Sequence, residues 1–219
     1  MRNARSMRIV GVAAPYVWDV VESVIRLGRQ PICVDNVGSA DSELPEYTAE
    51  STVVDRTVEF VLGTGSAGAR SATAHAVHRS GWTNPVSLVD NTSTLATSVE
   101  IHHGAYVNAG VVIAAKVRIG CFANVNRAVS IGHHTSIGDF AHIGPGVTLA
   151  GEIVVGAGAF IGSGAVVLPR LQIGIGAIIG AGAVVTKSVP SFSVVAGNPA
   201  REIKTAEEWD TTCPYCVNN

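Results

Sequence analysis

The sequence predicts a mainly β protein: a left-handed parallel β-helix preceded by a small α/β (Rossmann-like) domain. Three observations predict it. From Leu95 to Val185 every sixth residue is Leu, Ile or Val, sixteen times without a slip. Small residues recur two positions before these hits, as at Ala105, Ala123, Ala141, Ala159 and Ala177, and glycine often follows them. Residues 8–90 lack the period and read as short apolar strands alternating with helices.

A period of six is neither helical nor a plain strand alternation. It fits a triangular prism whose three flat faces are short strands. Each apolar hit points inward, and the glycine after it is expected to turn the corner at positive φ. Three faces make a coil of 18 residues, and coils stack at strand spacing, roughly 4.8 Å. At 47% apolar residues, a chance run of this length has a probability on the order of 10⁻⁵. On the C-terminal side the segment from Lys187 leaves the period, and Thr205–Asp210 is expected to be a short helix.

In the first third, Arg8–Ala14 reads as a buried strand. Val17 to Leu27 carries helical apolar spacing, stopped by Gly28. Pro31–Asp35 is a second strand and Val58–Leu62 a third. Gly38 to Ser51 reads as a surface connection. Gly63–Gly68 is a glycine-rich loop that leads into a helix ending near Arg79, and Val86–Val89 would be the last strand. Ligands of such sheets bind at the C-terminal strand edge. The loop Gly11–Tyr16 has one glycine where a dinucleotide fingerprint wants three, so no such cofactor site is read there.

Composition excludes several classes. Apolar residues are ample for a core, and charged residues are only 15%. A net charge of −2 with no basic run gives no reason to expect nucleic acid. No apolar stretch reaches membrane-span length, and Met1–Met7 has no apolar leader, so a cytoplasmic protein is expected. Cys33 and Cys121 read as small buried hydrophobes. Cys213 and Cys216 form a CxxC that supplies only two ligands, so no metal is expected.

Residues 18 apart should lie one above the other. His133 then sits between Ala115 and Gly151, both small. His134 sits between Lys116 and Glu152, and His142 between Asn124 and Phe160. Asn126 stacks on Asn108, with Gly144 on its other side. An open imidazole such as His133 suits a general base, because its unperturbed pKa lies near working pH. His75 and His78 fall on the second helix and read as surface residues.

The run Asn126-Arg-Ala-Val-Ser-Ile-Gly-His-His-Thr-Ser-Ile-Gly-Asp-Phe-Ala-His142, with Pro145-Gly146, Ala150-Gly151 and Gly197-Asn-Pro-Ala200, resembles the hexapeptide-repeat sugar acyltransferases. These are the sialic acid O-acetyltransferase and UDP-amino-sugar N-acetyltransferase group. The resemblance spans nearly the whole chain. It implies a homotrimer with acetyl-CoA, or another acyl-CoA, between adjacent β-helices. It implies His133 as catalytic base, with His134 in the position after it where the family usually has Asp or Glu. His142, Gly151, Ser163 and Ala181 become cofactor contacts, and Asn126, Asp35 and Gly11 acceptor contacts. The chain divides into an acceptor-binding domain (1–90), a transferase β-helix (91–200) and a C-terminal tail (201–219).

Two other readings remain. One is a non-catalytic β-helix binding or scaffold trimer. The other is a γ-carbonic-anhydrase-like metal enzyme using His133 or His134 with His142, although the ligand spacing of that family is missing.

Overall fold

The computed structural model describes residues 6–36, 38 and 43–216. The α/β part opens with β1 (Ser6–Val10), α1 (Val17–Arg26) and β2 (Gln30–Asp35). Then come β3 (Tyr47–Ala49), a 3₁₀ turn (Glu50–Thr52), β4 (Phe60–Leu62) and α2 (Ala67–Arg79). The four strands form one parallel sheet in the order β3-β2-β1-β4. Val17, Val20, Val21 and Val24 lie on one face of α1 and are buried against the sheet. Gly28, at φ 70°, ends the helix as expected, and its N–H bonds the Ile25 carbonyl at 2.8 Å. The segment read as a surface connection contains β3, which pairs with β2 at Cys33–Tyr47 and was masked by its polar composition.

The period of six becomes a parallel β-helix. Its first face is eight-stranded and begins at Leu88–Val89; a six-stranded second face begins at Thr94–Leu95, and a five-stranded third at Glu100–Ile101. Residues 18 apart pair throughout, for example Asn124 with His142 and His142 with Phe160. The hits and the small residues two before them fill the interior, from Ala105 to Val185. Each coil buries apolar surface on the next, worth about 25 cal/mol per Å².

Three expectations are corrected. Leu88–Val89 is not the last strand of the α/β sheet; it pairs with Tyr106–Val107 and starts the first face of the β-helix. The glycine after a hit does not carry the positive φ. That falls on the third residue after the hit: Lys116, Phe122, Ala128, His134, Phe140, Glu152 and Arg170, with glycines at other corners. The glycines at 132, 138, 156 and 162 are instead needed for close stacking, since a Cβ there would meet the backbone of the next coil at 2.5 Å.

From Lys187 the chain leaves the period, as expected. The spacing shortens, so that Ile178 pairs with Val194 and Ile173 with Val189, 16 residues on. Lastly, 205–210 is not helical. Arg201–Thr205 is a strand antiparallel to Ser193–Ala196, and 206–213 follows without regular structure. Among the described residues no helix is long and apolar enough to cross a membrane.

The α/β part packs on the first face of the β-helix. Tyr106 Oη lies 2.8 Å from both Ser23 Oγ and the Asp19 carbonyl, and its one proton goes to one of these two acceptors. Tyr16 Oη donates to Asn124 Oδ1 at 2.8 Å. Asp90, fully buried, accepts from Ser23, Arg26 and Thr92, and these bonds outweigh its burial and hold its carboxyl down at about 2. Buried Arg70 of α2 donates to the carbonyls of Phe122, Phe140, Ala141 and Gly65 at 2.6–3.2 Å. Burial lowers its pKa to about 10, against the nearby Tyr16.

Candidate active site

His133 and His134 lie at the corner between the second and third faces, just past the Ser130–Ile131 strand. Both are exposed. His134 is the left-handed corner residue, at φ 58°. Its carbonyl-side neighbour Thr135 is buried and donates to the Ala150 carbonyl, which ties the corner to the next coil. The stacking expected from the period holds: a Cβ on Gly151 would come within 2.9 Å of both Cε1 and Nε2 of His133. The His133 ring therefore lies over bare glycine.

His133 Nδ1 is 3.0 Å from His134 Nδ1. One of these nitrogens donates and the other accepts. If His133 donates from Nδ1, its Nε2 keeps a free lone pair, which is the tautomer a base needs. His134 then occupies the polarising position. Glu152 does not, because its Oε1 accepts from Arg170 Nε at 3.5 Å. A hollow of about 540 Å³ opens beside His134, lined by Thr97, Ser98, Glu100, Lys116, Arg118 and Ser136, among others.

His142 sits elsewhere, on the outer side of the first face. Its ring stacks on Phe160 at 5.0 Å between centroids, and its Nδ1 donates to the Gly65 carbonyl at 3.0 Å. Burial first, then the Arg70 charge, push its pKa down to about 4 despite the Gly65 carbonyl. The imidazole is therefore neutral at neutral pH, with Nε2 available as an acceptor.

Ser163 and Ala181 are exposed and stack at the corner between the first and second faces, where Gly182 N donates to the Ser163 carbonyl. Asn126 is buried and accepts from Asn108 Nδ2 and from the Arg127 N–H.

At the sheet edge, Gly11 follows β1 and Asp35 ends the neighbouring β2. The Asp35 carboxylate already accepts from Tyr47 Oη at 2.6 Å and from the Gly38 N–H at 2.8 Å. Gly11, at φ 83°, lets Thr64 and Thr73 approach: a Cβ would come within 2.6 Å of Thr64 Oγ1. A hollow of about 430 Å³ lies beside Asp35, lined also by Asn36, Tyr47, Glu50, Arg56 and Ser80. Asn36 Oδ1 and Arg56 Nε are buried there without a hydrogen-bond partner among the described residues. Arg56 and Asn36 were missed in the sequence, where each stands in a connection with no motif around it.

The fold brings His133, His134 and Gly151 together. It does not bring them to His142 or Asp35 within one chain. In a triangular prism the corner between the second and third faces points away from the first, on which the α/β part rests. His133, His134 and His142 form no group of three metal donors within one chain among the described residues.

No family model matches the chain, and no curated protein matches it. Solved structures do. A mutant perosamine N-acetyltransferase from Caulobacter crescentus, in complex with CoA and GDP-perosamine, is 26% identical with a TM-score of 0.82, over 91% of this chain and 97% of that one. The acetyltransferase domain of PglB from Neisseria gonorrhoeae, in complex with acetyl coenzyme A, is 25% identical with a TM-score of 0.83, over 91% and 100%. WeeI from Acinetobacter baumannii is 25% identical with a TM-score of 0.77, over the same shares.

Proposed function

We infer that this chain is a CoA-dependent acyltransferase, which moves an acetyl or other short acyl group from acyl-CoA to an amine or hydroxyl of a sugar or nucleotide-sugar. The likeness to sugar N-acetyltransferases solved with CoA and a nucleotide-sugar supports the donor, the reaction and an amine acceptor. The observation that carries the mechanism is the His133 ring lying over bare Gly151, with Nδ1 held by His134.

In this reading the acceptor nitrogen or oxygen attacks the thioester carbonyl as His133 Nε2 takes its proton. The tetrahedral intermediate then collapses and expels the CoA thiolate, which recovers that proton from the imidazolium. His134 accepts from the imidazolium Nδ1–H and so stabilises the charge that develops. Corner N–H groups beside Gly151, Ser163 and Ala181 suit the acyl-CoA, and the neutral His142 ring with Phe160 offers an apolar platform for it. No covalent enzyme intermediate is needed, because the thioester is already activated.

The acceptor belongs to the α/β part, read as a Rossmann-like module. Asn36 and Arg56, which line the hollow beside Asp35, are of the kind a nucleotide's N–H groups and phosphate oxygens would meet. That hollow and His133 lie on opposite sides of one prism, so the site is completed between copies. We therefore read the protein as a homotrimer of left-handed β-helices, in which one copy's His133 serves a groove edged by another's first face. Four free thiols and an acyl-CoA donor suit the cytoplasm.

His133→Ala should lower turnover by about 10²–10⁴-fold while acyl-CoA still binds in calorimetry. Full turnover in this variant would remove His133 from the mechanism.

A further inference from the structure

The third corner of the prism, between the third and first faces, holds a group of side chains that the transferase reading does not use. His103 and Cys121 stack there, 18 residues apart. The C-terminal tail runs back along this corner. Trp209 covers Gly158, whose Cβ would come within 2.5 Å of the indole. The Asp210 carbonyl accepts from Ser71 Oγ, and its carboxylate lies 3.5 Å from His75 Nε2. Tyr215 packs against Phe60, His78, His103 and Phe122.

This course delivers Cys213 and Cys216 to the stacked pair. Cys216 N–H closes a tight turn onto the Cys213 carbonyl, so both sulfurs point the same way. His103 Nε2 is 3.2 Å from Cys213 Sγ and 3.8 Å from Cys216 Sγ, and Cys121 Sγ is 3.3 Å from Cys216 Sγ. One donor atom from each of the four residues lies within 4.8 Å of the others.

We propose that His103, Cys121, Cys213 and Cys216 bind one zinc ion, which clips the C-terminal tail to the β-helix. Zn–S bonds near 2.3 Å and Zn–N bonds near 2.0 Å place tetrahedral donors about 3.6–3.8 Å apart, the scale found here. Three sulfurs and one imidazole complete a tetrahedron and leave no open position, which makes the ion structural rather than catalytic. Soft thiolates select zinc over magnesium or calcium. Burial also favours a bound ion: Cys121 and Cys213 are only 2% and 4% exposed, beside Phe122 and Tyr215, while Cys216 closes the cluster from the exposed side. At 3.3 Å the sulfurs of Cys121 and Cys216 are in contact but not bonded, since a disulfide bond is about 2.05 Å long. The ion joins residues 95 apart in sequence at the corner where Arg70 anchors the α/β part, so it fixes three pieces of the fold at one point.

The test is the metal content of the untagged full chain, purified without chelator and then given excess zinc sulfate and desalted. About one zinc per chain is expected by elemental mass spectrometry. A mercurial thiol reagent should release it to a colorimetric chelator as the thiols react. Cys213→Ser with Cys216→Ser should retain less than about one tenth of it, while Cys33→Ser, outside the cluster, retains all. Cobalt(II) in place of zinc should give thiolate charge-transfer and tetrahedral d–d absorption. This reading of the wild-type chain decides the matter even if the double variant does not fold. A chain that takes up no zinc overturns the proposal, whether its thiols are free or peptide mapping finds Cys121 joined to Cys216. So does zinc retained in the folded double variant, or cobalt bound without thiolate absorption.

Discussion

Gly151→Ala separates the chemistry of the His133 corner from its architecture. Its new Cβ would stand 2.9 Å from Cε1 and Nε2 of His133, and ordinary contact begins near 3.4 Å. The ring must therefore retreat by about 0.5 Å or more, and it is free to do so because it is an exposed side chain. Misplacing a reacting group by about 1 Å costs on the order of 10²-fold, so a loss of about 10–100-fold in kcat is expected, or roughly 1.4–2.7 kcal/mol in the barrier. Stability should hold, since Gly151 does not adopt a positive φ and alanine reduces the freedom of the unfolded chain. Gly132→Ala in the coil below is the control. There the Cβ meets the backbone of Ala150 and Gly151 at 2.5–2.6 Å, which cannot yield without moving the coil. It should destabilise the fold by about 1–3 kcal/mol or more. Steady-state kinetics with saturating acyl-CoA and thermal unfolding of both variants would decide. A Gly151→Ala enzyme within twofold of wild-type kcat would refute the placement of the base.

Three further outcomes are expected. The folded pKa of His142, about 4, lies below its unfolded value of about 6.5, so the unfolded chain binds more protons between these limits. Stability from this site is complete above pH 6.5 and falls as pH drops toward 4, by at most roughly 3 kcal/mol. His142→Gln should flatten that slope in urea unfolding at pH 7 and 4.5, and an unchanged slope counts against the assignment. Arg70→Met strands the carbonyls of Phe122 and Phe140 and takes one of two donors from those of Ala141 and Gly65, and is eased only by relief of the guanidinium's own desolvation. A net loss of about 2–4 kcal/mol is expected in chemical denaturation, and a loss below about 1 kcal/mol would contradict it. His134→Asp keeps a residue that tolerates the left-handed corner and gives His133 a carboxylate partner. The acid limb of kcat/KM should move to higher pH, because a neighbouring anion favours the protonated imidazole. No movement would mean that His134 does not act on the base.

The β-helix was legible because its contacts are periodic. A hit every six residues sets the faces, and 18 residues sets the stack, so the pairs His133 with Gly151 and His142 with Phe160 could be named before any coordinates. The corner was misread, although the same period contains it. Glycine after a hit and glycine three after a hit look alike in sequence, and only the backbone dihedrals separate close stacking from positive φ. Tyr47–Ala49 was hidden for another reason. An edge strand is held by hydrogen bonds to one neighbour and needs little apolar patterning.

The sequence by itself determined the prism, its interior and the vertical neighbours of each histidine, since those follow from local repetition along the chain. Only the tertiary structure decided what meets across corners and ends. It put His133 and His142 on opposed sides of one prism, set His134 Nδ1 against His133 Nδ1, and brought Cys213 and Cys216 onto His103 and Cys121. Contacts of that kind join segments about a hundred residues apart. No repeat encodes them; they arise where the burial of Tyr215 and Trp209 lays the tail along the corner and packing fixes what stands opposite.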